Sequence, residues 1–212
     1  CASATSLRLI PSSAPEVAEP LIQALSMSDA PPAGLLPLLR GTSANQPRLL
    51  RAVLAARLRL GDWTASPGAL EFAVTHDLDA REAQWLAGSF ASAILYEDLT
   101  AAAPGIEVVM KSDFALARRV VAEALRVRAA PETMDLLALA LYDDDREVQY
   151  HAIIGLYHVA DGKRDEVLVA PCMELFDEQP DYYVGIYRKW WEEGRPHTPR
   201  TDKYGDPITI LN

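Results

Sequence analysis

Cysteine and histidine are scarce, with two and four copies in 212 residues. A chain of this length can bury a core that stands without disulfide staples, and two cysteines cannot by themselves form a tetrahedral zinc site. His151 and His158 lie two helical turns apart, too far for the i, i+4 metal pair. The sequence also lacks HExxH, CxxC, GxSxG, a P-loop glycine pattern and a dinucleotide fingerprint, so the commonest catalytic constellations have no support. No catalytic residue, cofactor or metal is therefore expected. Basic clusters are missing as well: 20 Lys and Arg stand against 30 Asp and Glu, a formal charge of -10. A phosphate-backbone partner needs clustered Lys and Arg, so nucleic acid is excluded as a partner. Strand-like alternation is scarce, and the composition is neither disordered, collagen-like nor membrane-spanning.

What is present is helical periodicity, in a chain that is 50% hydrophobic and 24% charged. Asp145 to Asp161 reads as the clearest helix, with Val148, Ala152, Leu156 and Val159 on one face and Asp144 placed to cap its start. Further helices are expected near Pro15 to Met27, Gly34 to Arg40, Gln46 to Leu60, Pro67 to Thr75, Asp79 to Ala101, Ser112 to Arg128, Pro131 to Tyr142, Glu166 to Phe176 and Tyr182 to Glu193. Ile106 to Met110 reads as a brief extended segment. Asp143, Asp144 and Asp145 lack the calcium-loop pattern and are explained by helix capping and the helix dipole. Charge is uneven: residues 1–61 hold six Arg and three acids, whereas the rest of the chain holds 14 basic and 27 acidic groups. Arg48, Arg51, Arg57 and Arg59 make the best basic strip, without all sharing one helical face.

Internal repetition is the strongest signal. Leu58, Ile94, Leu125 and Leu156 fall in register at spacings of 36, 31 and 31 residues, and three of them follow a small residue, Ala93, Ala124 or Gly155. A helix pair of about 30 residues cannot bury its apolar face alone, so stacked pairs build a continuous core. The stretch from Tyr142 to Gly162, YDDDREVQYHAIIGLYHVADG, resembles a short HEAT repeat: an acidic loop, then Arg and Val, then an Ala-rich second helix with a buried Leu. The likeness weakens upstream, through residues 111–142 and 67–98 to 15–62. It implies an all-α protein, an α-solenoid of about five HEAT-like helical pairs over residues 15–194. A non-repeating helical bundle is the structural alternative. The resemblance further implies a non-catalytic scaffold or accessory subunit that presents a helical surface to another protein or to a membrane complex. The alternatives are a HEAT-like ligand or chromophore carrier, similar to the phycobilin lyases, and a soluble intracellular adaptor.

Each end of the chain carries its own expectation. Cys1, followed by the polar stretch Ala2 to Ser6 and then Pro11 to Pro15, resembles the start of a mature bacterial lipoprotein. That implies a lipidated Cys1, a flexible tether over residues 1–14, and an extracytoplasmic, membrane-anchored location, with Ala2 favouring outer-membrane sorting. The alternative is a chain in which Cys1 is not the natural start. Cys172, between apolar neighbours, reads as a small buried hydrophobe, and a Cys1 to Cys172 disulfide competes if the chain is exported without lipid. Near the other end, Tyr183, Ile186, Tyr187 and Trp190 form one helical stripe, suited to an aromatic helix that caps the array. Tyr182 and Trp191 lie off that stripe and are candidate anchors for a protein partner. Residues 195–212 read as an irregular tail that docks through Ile208, Ile210 and Leu211.

Overall fold

The computed structural model describes residues 15–96, 98–160, 168–194, 200–201 and 207–208. Among them the regular structure is helical, apart from the two-residue strands Arg200–Thr201 and Pro207–Ile208, which pair antiparallel with Arg200 opposite Ile208 inside the segment expected to be irregular. The protein is all-α. Its helices are α1 Pro15–Ser26, α2 Leu35–Arg40, α3 Pro47–Arg59, α4 Ser66–Thr75, α5 Ala80–Tyr96, α6 Leu99–Met110, α7 Ala115–Arg128, α8 Met134–Ala140, α9 Arg146–Val159, α10 Met173–Glu178 and α11 Pro180–Lys189. A π-helical turn, Trp190–Gly194, follows α11. Two compact units divide the chain, residues 1–120 and 121–212, with the boundary inside α7.

In the first unit α1 packs on α3, α3 packs on α5, and α4 packs on α6. The sequence dictates this locally. Ala18, Ile22 and Leu25 repeat at helical spacing and are buried, and Ile22 and Leu25 cluster with Leu35 and Leu39 of α2 and Ala52, Val53 and Ala56 of α3. Pro47 starts α3, where its missing N–H costs nothing. Gly61 ends it at φ 76°, the left-handed conformation glycine adopts most cheaply. The Gly61 and Asp62 amides then donate back to the Leu58 and Arg57 carbonyls at 2.9 Å each, closing a Schellman motif.

Two expectations are corrected here. Asp79 to Ala101 is not one helix, because Asp98 caps a new one: its Oδ1 accepts from the Thr100 amide at 2.9 Å, and α6 begins at Leu99. Ile106 to Met110 is not extended. Ile106, Val109 and Met110 are buried at i, i+3 and i+4, so packing of a helical face overrides the β preference of its branched residues.

In the second unit α9 packs on α8 and on α11, and α10 packs on α11. Val148, Ala152, Leu156 and Val159 are buried as expected, and so are His151, Ile153, Ile154 and Gly155, so α9 is central rather than one-sided. Its N-cap is Asp145, not Asp144: Asp145 Oδ1 accepts from the Glu147 and Val148 amides. Ala129, at φ 43°, takes the left-handed turn that ends α7, a conformation that costs a residue with a Cβ about 1 kcal/mol. The helix expected from Glu166 is described only from Met173 to Glu178. Pro171 explains the late start, since it lacks a donor and pushes the residue before it out of the helical region.

Tyr187 is fully buried and donates its hydroxyl to the Val169 carbonyl at 3.0 Å, while Trp190 is buried beside it. The side chain of Arg188 donates twice to the Leu141 carbonyl, at 3.1 and 2.6 Å, and its guanidinium sits 4.6 Å from the Tyr142 ring centre. Cys172 is exposed, against the expectation of a buried hydrophobe. It lies at the N-cap of α10, directly after Pro171.

Candidate functional site

Because α1 and α5 both pack on α3, the polar edges of the three helices converge on a cleft of about 600 Å³. From α1 come Glu19 and Gln23, one turn apart, and from α3 come Arg48 and Arg51. The start of α5 adds Asp79, Arg81, Glu82, Gln84 and Trp85. Arg51 is the centre: only 8% exposed, it donates to Glu19 Oε1 at 2.9 Å and pairs through its other terminal nitrogen with Glu82. Its Nε is buried without a hydrogen-bond partner. Burial alone would lower the Arg51 pKa, but the bonds to Glu82 and Glu19 outweigh it and hold the group above the usual arginine range.

Trp85 forms the aromatic wall, half-buried, with the guanidinium carbons of Arg51 and Arg59 at 5.9 and 5.7 Å from its ring centre. Arg59 also donates through Nε to Ser89 Oγ at 3.2 Å. Asp79 and Glu82 close a capping box at the start of α5: the Glu82 amide donates to Asp79 Oδ1 at 2.8 Å, and the Asp79 amide to Glu82 Oε2 at 3.3 Å. All three carboxylates are thereby engaged. Arg48 and Arg81 are exposed, and among the described residues neither has a hydrogen bond or an ion pair. The uncommitted charge of the cleft is thus positive, in a chain whose net charge is -10. Two exposed guanidiniums beside a tryptophan face are groups able to donate to the oxygens of an anion.

The basic strip read from the sequence is divided among three tasks. Arg48 and Arg51 enter the cleft, Arg59 lies on Trp85, and Arg57 belongs to a separate knot around Asp62. There Asp62, 2% exposed, accepts from Arg40 at 3.0 Å on each oxygen, from Arg57 Nε at 2.8 Å and from the Thr64 hydroxyl at 2.6 Å. Burial would raise its pKa, but the bonds to Arg40, Thr64 and Arg57 prevail and hold it well below the usual carboxylate range. Arg40, Arg57 and Asp62 are therefore spent on joining α2, α3 and the turn that follows.

Of the residues expected to touch a partner, Tyr182 is 60% exposed, with its ring edge-on to Tyr183 at 5.2 Å. Trp191 is half-buried, 6.4 Å from Trp190. Ile208 sits in the second short strand. Cys1, Ile210 and Leu211 lie outside the described residues. His151 is buried and His158 exposed, and among the described residues no three His, Cys, Asp or Glu side chains group as a metal site. Among the same residues no helix is long and apolar enough to cross a membrane. Glu19, Glu82 and Trp85 were not anticipated as site residues. The spacing of Asp79 and Glu82 before an apolar run was the one readable signal for that corner.

Fold and cleft together define an all-α protein with a charged, aromatic-walled cleft. No protein-family model, curated protein or solved structure matches the chain.

Proposed function

We propose that this chain is a HEAT-like α-solenoid working as a non-catalytic scaffold that holds a protein partner against the α1, α3 and α5 face of its first unit. The cleft is the observation that carries the reading: three successive alternate helices present prepared charge and a tryptophan face along one edge. Two further features support it. In the first unit α1 packs on α3, α3 on α5 and α4 on α6, the next helix but one in each case, a contact pattern that stacked helical pairs produce. The register residues Leu58, Ile94, Leu125 and Leu156 are each fully buried within one turn of a helix end, and the small residues Ala93, Ala124 and Gly155 precede three of them in buried positions. The partner role needs no lipid anchor at Cys1, and it holds equally for a membrane-attached subunit and for a free adaptor.

The test places a photo-crosslinking amino acid at exposed Gln84 on the cleft rim and, as a control, at exposed Val74 on α4. Irradiation in the native cells should give one discrete adduct from position 84 and none from position 74. The absence of an adduct at 84, or the same adducts at both, would remove the scaffold reading.

A further inference from the structure

We infer that the α1, α3 and α5 cleft recognises an acidic segment of a protein partner, with one of its carboxylates placed between Arg48 and Arg81 and an apolar side chain on Trp85. The inference deepens the scaffold reading and rests on it.

Counting formal charge, the cleft lining is balanced, with Arg48, Arg51 and Arg81 against Glu19, Asp79 and Glu82, and Arg59 on Trp85 adds one positive charge beside it. Counting hydrogen bonds, the balance tips towards the arginines. Glu19 is held by Arg51 and by Gln23, whose amide nitrogen lies 3.3 Å away. Glu82 is held by Arg51 and the Asp79 amide, and Asp79 by the Glu82 amide. An anionic ligand finds in Arg48 and Arg81 two guanidiniums whose donor edges are open among the described residues, and it displaces no bond there. Arg51, between its two carboxylates, keeps one buried N–H without a partner among the described residues.

Trp85 sets the second half of the specificity. It is half-buried against Arg51 and Arg59, so its ring is fixed in direction and offers a flat apolar surface beside the guanidiniums. Fixed tryptophan next to arginine is the composition that carries binding energy at protein interfaces. The net charge of -10 repels an acidic segment from the molecule at large, so its binding depends on direct contact with Arg48 and Arg81. That places the chosen segment with selectivity rather than by general attraction.

The test uses the full chain and two fluorescent, acetylated hexapeptides, one of five glutamates and a phenylalanine, the other of five lysines and a phenylalanine. Anisotropy at about 20 mM salt should register binding of the glutamate peptide alone, and about 300 mM salt should weaken it. The double variant R48E/R81E should weaken it at least about tenfold. Because both arginines are exposed and, among the described residues, unpaired, this variant should retain the thermal transition of the parent. W85A should cost a similar factor, and R48K/R81K should retain part of the binding. Equal binding of the two peptides, or unchanged affinity in R48E/R81E, would overturn the inference. So would saturation by benzoate without binding of either peptide, which would make the cleft a small-carboxylate site. Failure here with a discrete crosslink at position 84 would leave the scaffold standing and remove only its acidic specificity.

Discussion

Asp62 is where a single side chain bears most on stability. Its two oxygens accept two arginines and a threonine hydroxyl from three different segments, at 2% exposure. D62N keeps the size but removes the charge and replaces one of the two acceptor oxygens by an amide nitrogen, which faces the Arg40 and Arg57 donors with a donor. The expected cost is about 2 kcal/mol, read as a lower midpoint in urea unfolding with an unchanged slope, and a loss under about 0.5 kcal/mol would show the knot to be dispensable. Two glycines give a sharper contrast. A Cβ at Gly155 would meet the Leu137 methyls at 2.8 Å and the Arg126 backbone at 3.2 Å, and Leu137 is itself fully buried and cannot give way. A Cβ at Gly88, mid-helix in α5, meets nothing within 4 Å. G155A should therefore destabilise by about 1–3 kcal/mol. G88A should stabilise by about 0.5–1 kcal/mol, because alanine loses less backbone entropy in a helix. Thermal unfolding of the pair checks both signs at once.

At the level of elements, the break between α5 and α6 depends on one cap. Asp98 satisfies an amide that α6 would otherwise expose, so D98A should cost about 1 kcal/mol and raise hydrogen exchange first in residues 99–103. Unchanged exchange there would mean that the packing of Leu99 and Ala102, both buried, is sufficient to start the helix. This junction also marks how far the sequence was legible. Helices with a clear apolar face and a Pro or Asp start were readable, and α1, α2, α3, α4 and α9 lie close to where periodicity put them. The break at Asp98 was hidden because apolar spacing continues through it, and α6 was misread because Ile106 to Met110 carries strand-like residues in a helical contact pattern. The cleft was half legible. Arg48 and Arg51 stood out as basic, but their partners Glu19 and Glu82 lie 32 and 31 residues from Arg51, and only the packing of α1 and α5 on α3 brings them there. Trp85 carried no local signal at all: one tryptophan in an amphipathic helix reads as core until its neighbours are known.

For the molecule as a whole, the two units should answer acid differently, because the groups that titrate on unfolding are placed in different units. In the second unit His151 is 7% exposed, its Nδ1 has no hydrogen-bond partner, and burial holds its pKa below the ordinary value. The nearby charge of Arg126 lowers it further, and Glu123 opposes that only in part. A depressed pKa means that the unfolded chain binds the proton first. The stability carried by neutral His151 is therefore complete above the unfolded value of about 6.5 and is lost as pH falls below it. In the first unit the depressed Asp62 pKa gives the same sign in a lower window, with stability complete above about 3.9 and lost only in stronger acid. Hydrogen exchange at about pH 7 and 5.5, corrected for intrinsic rates, should show Arg146–Val159 losing protection while Pro47–Arg59 keeps it. H151Q, which cannot titrate, should abolish the difference between the two pH values in α9 and leave α3 as it was. Loss of protection in both helices together, or its persistence in H151Q, would show that acid acts on this protein through groups other than the buried histidine.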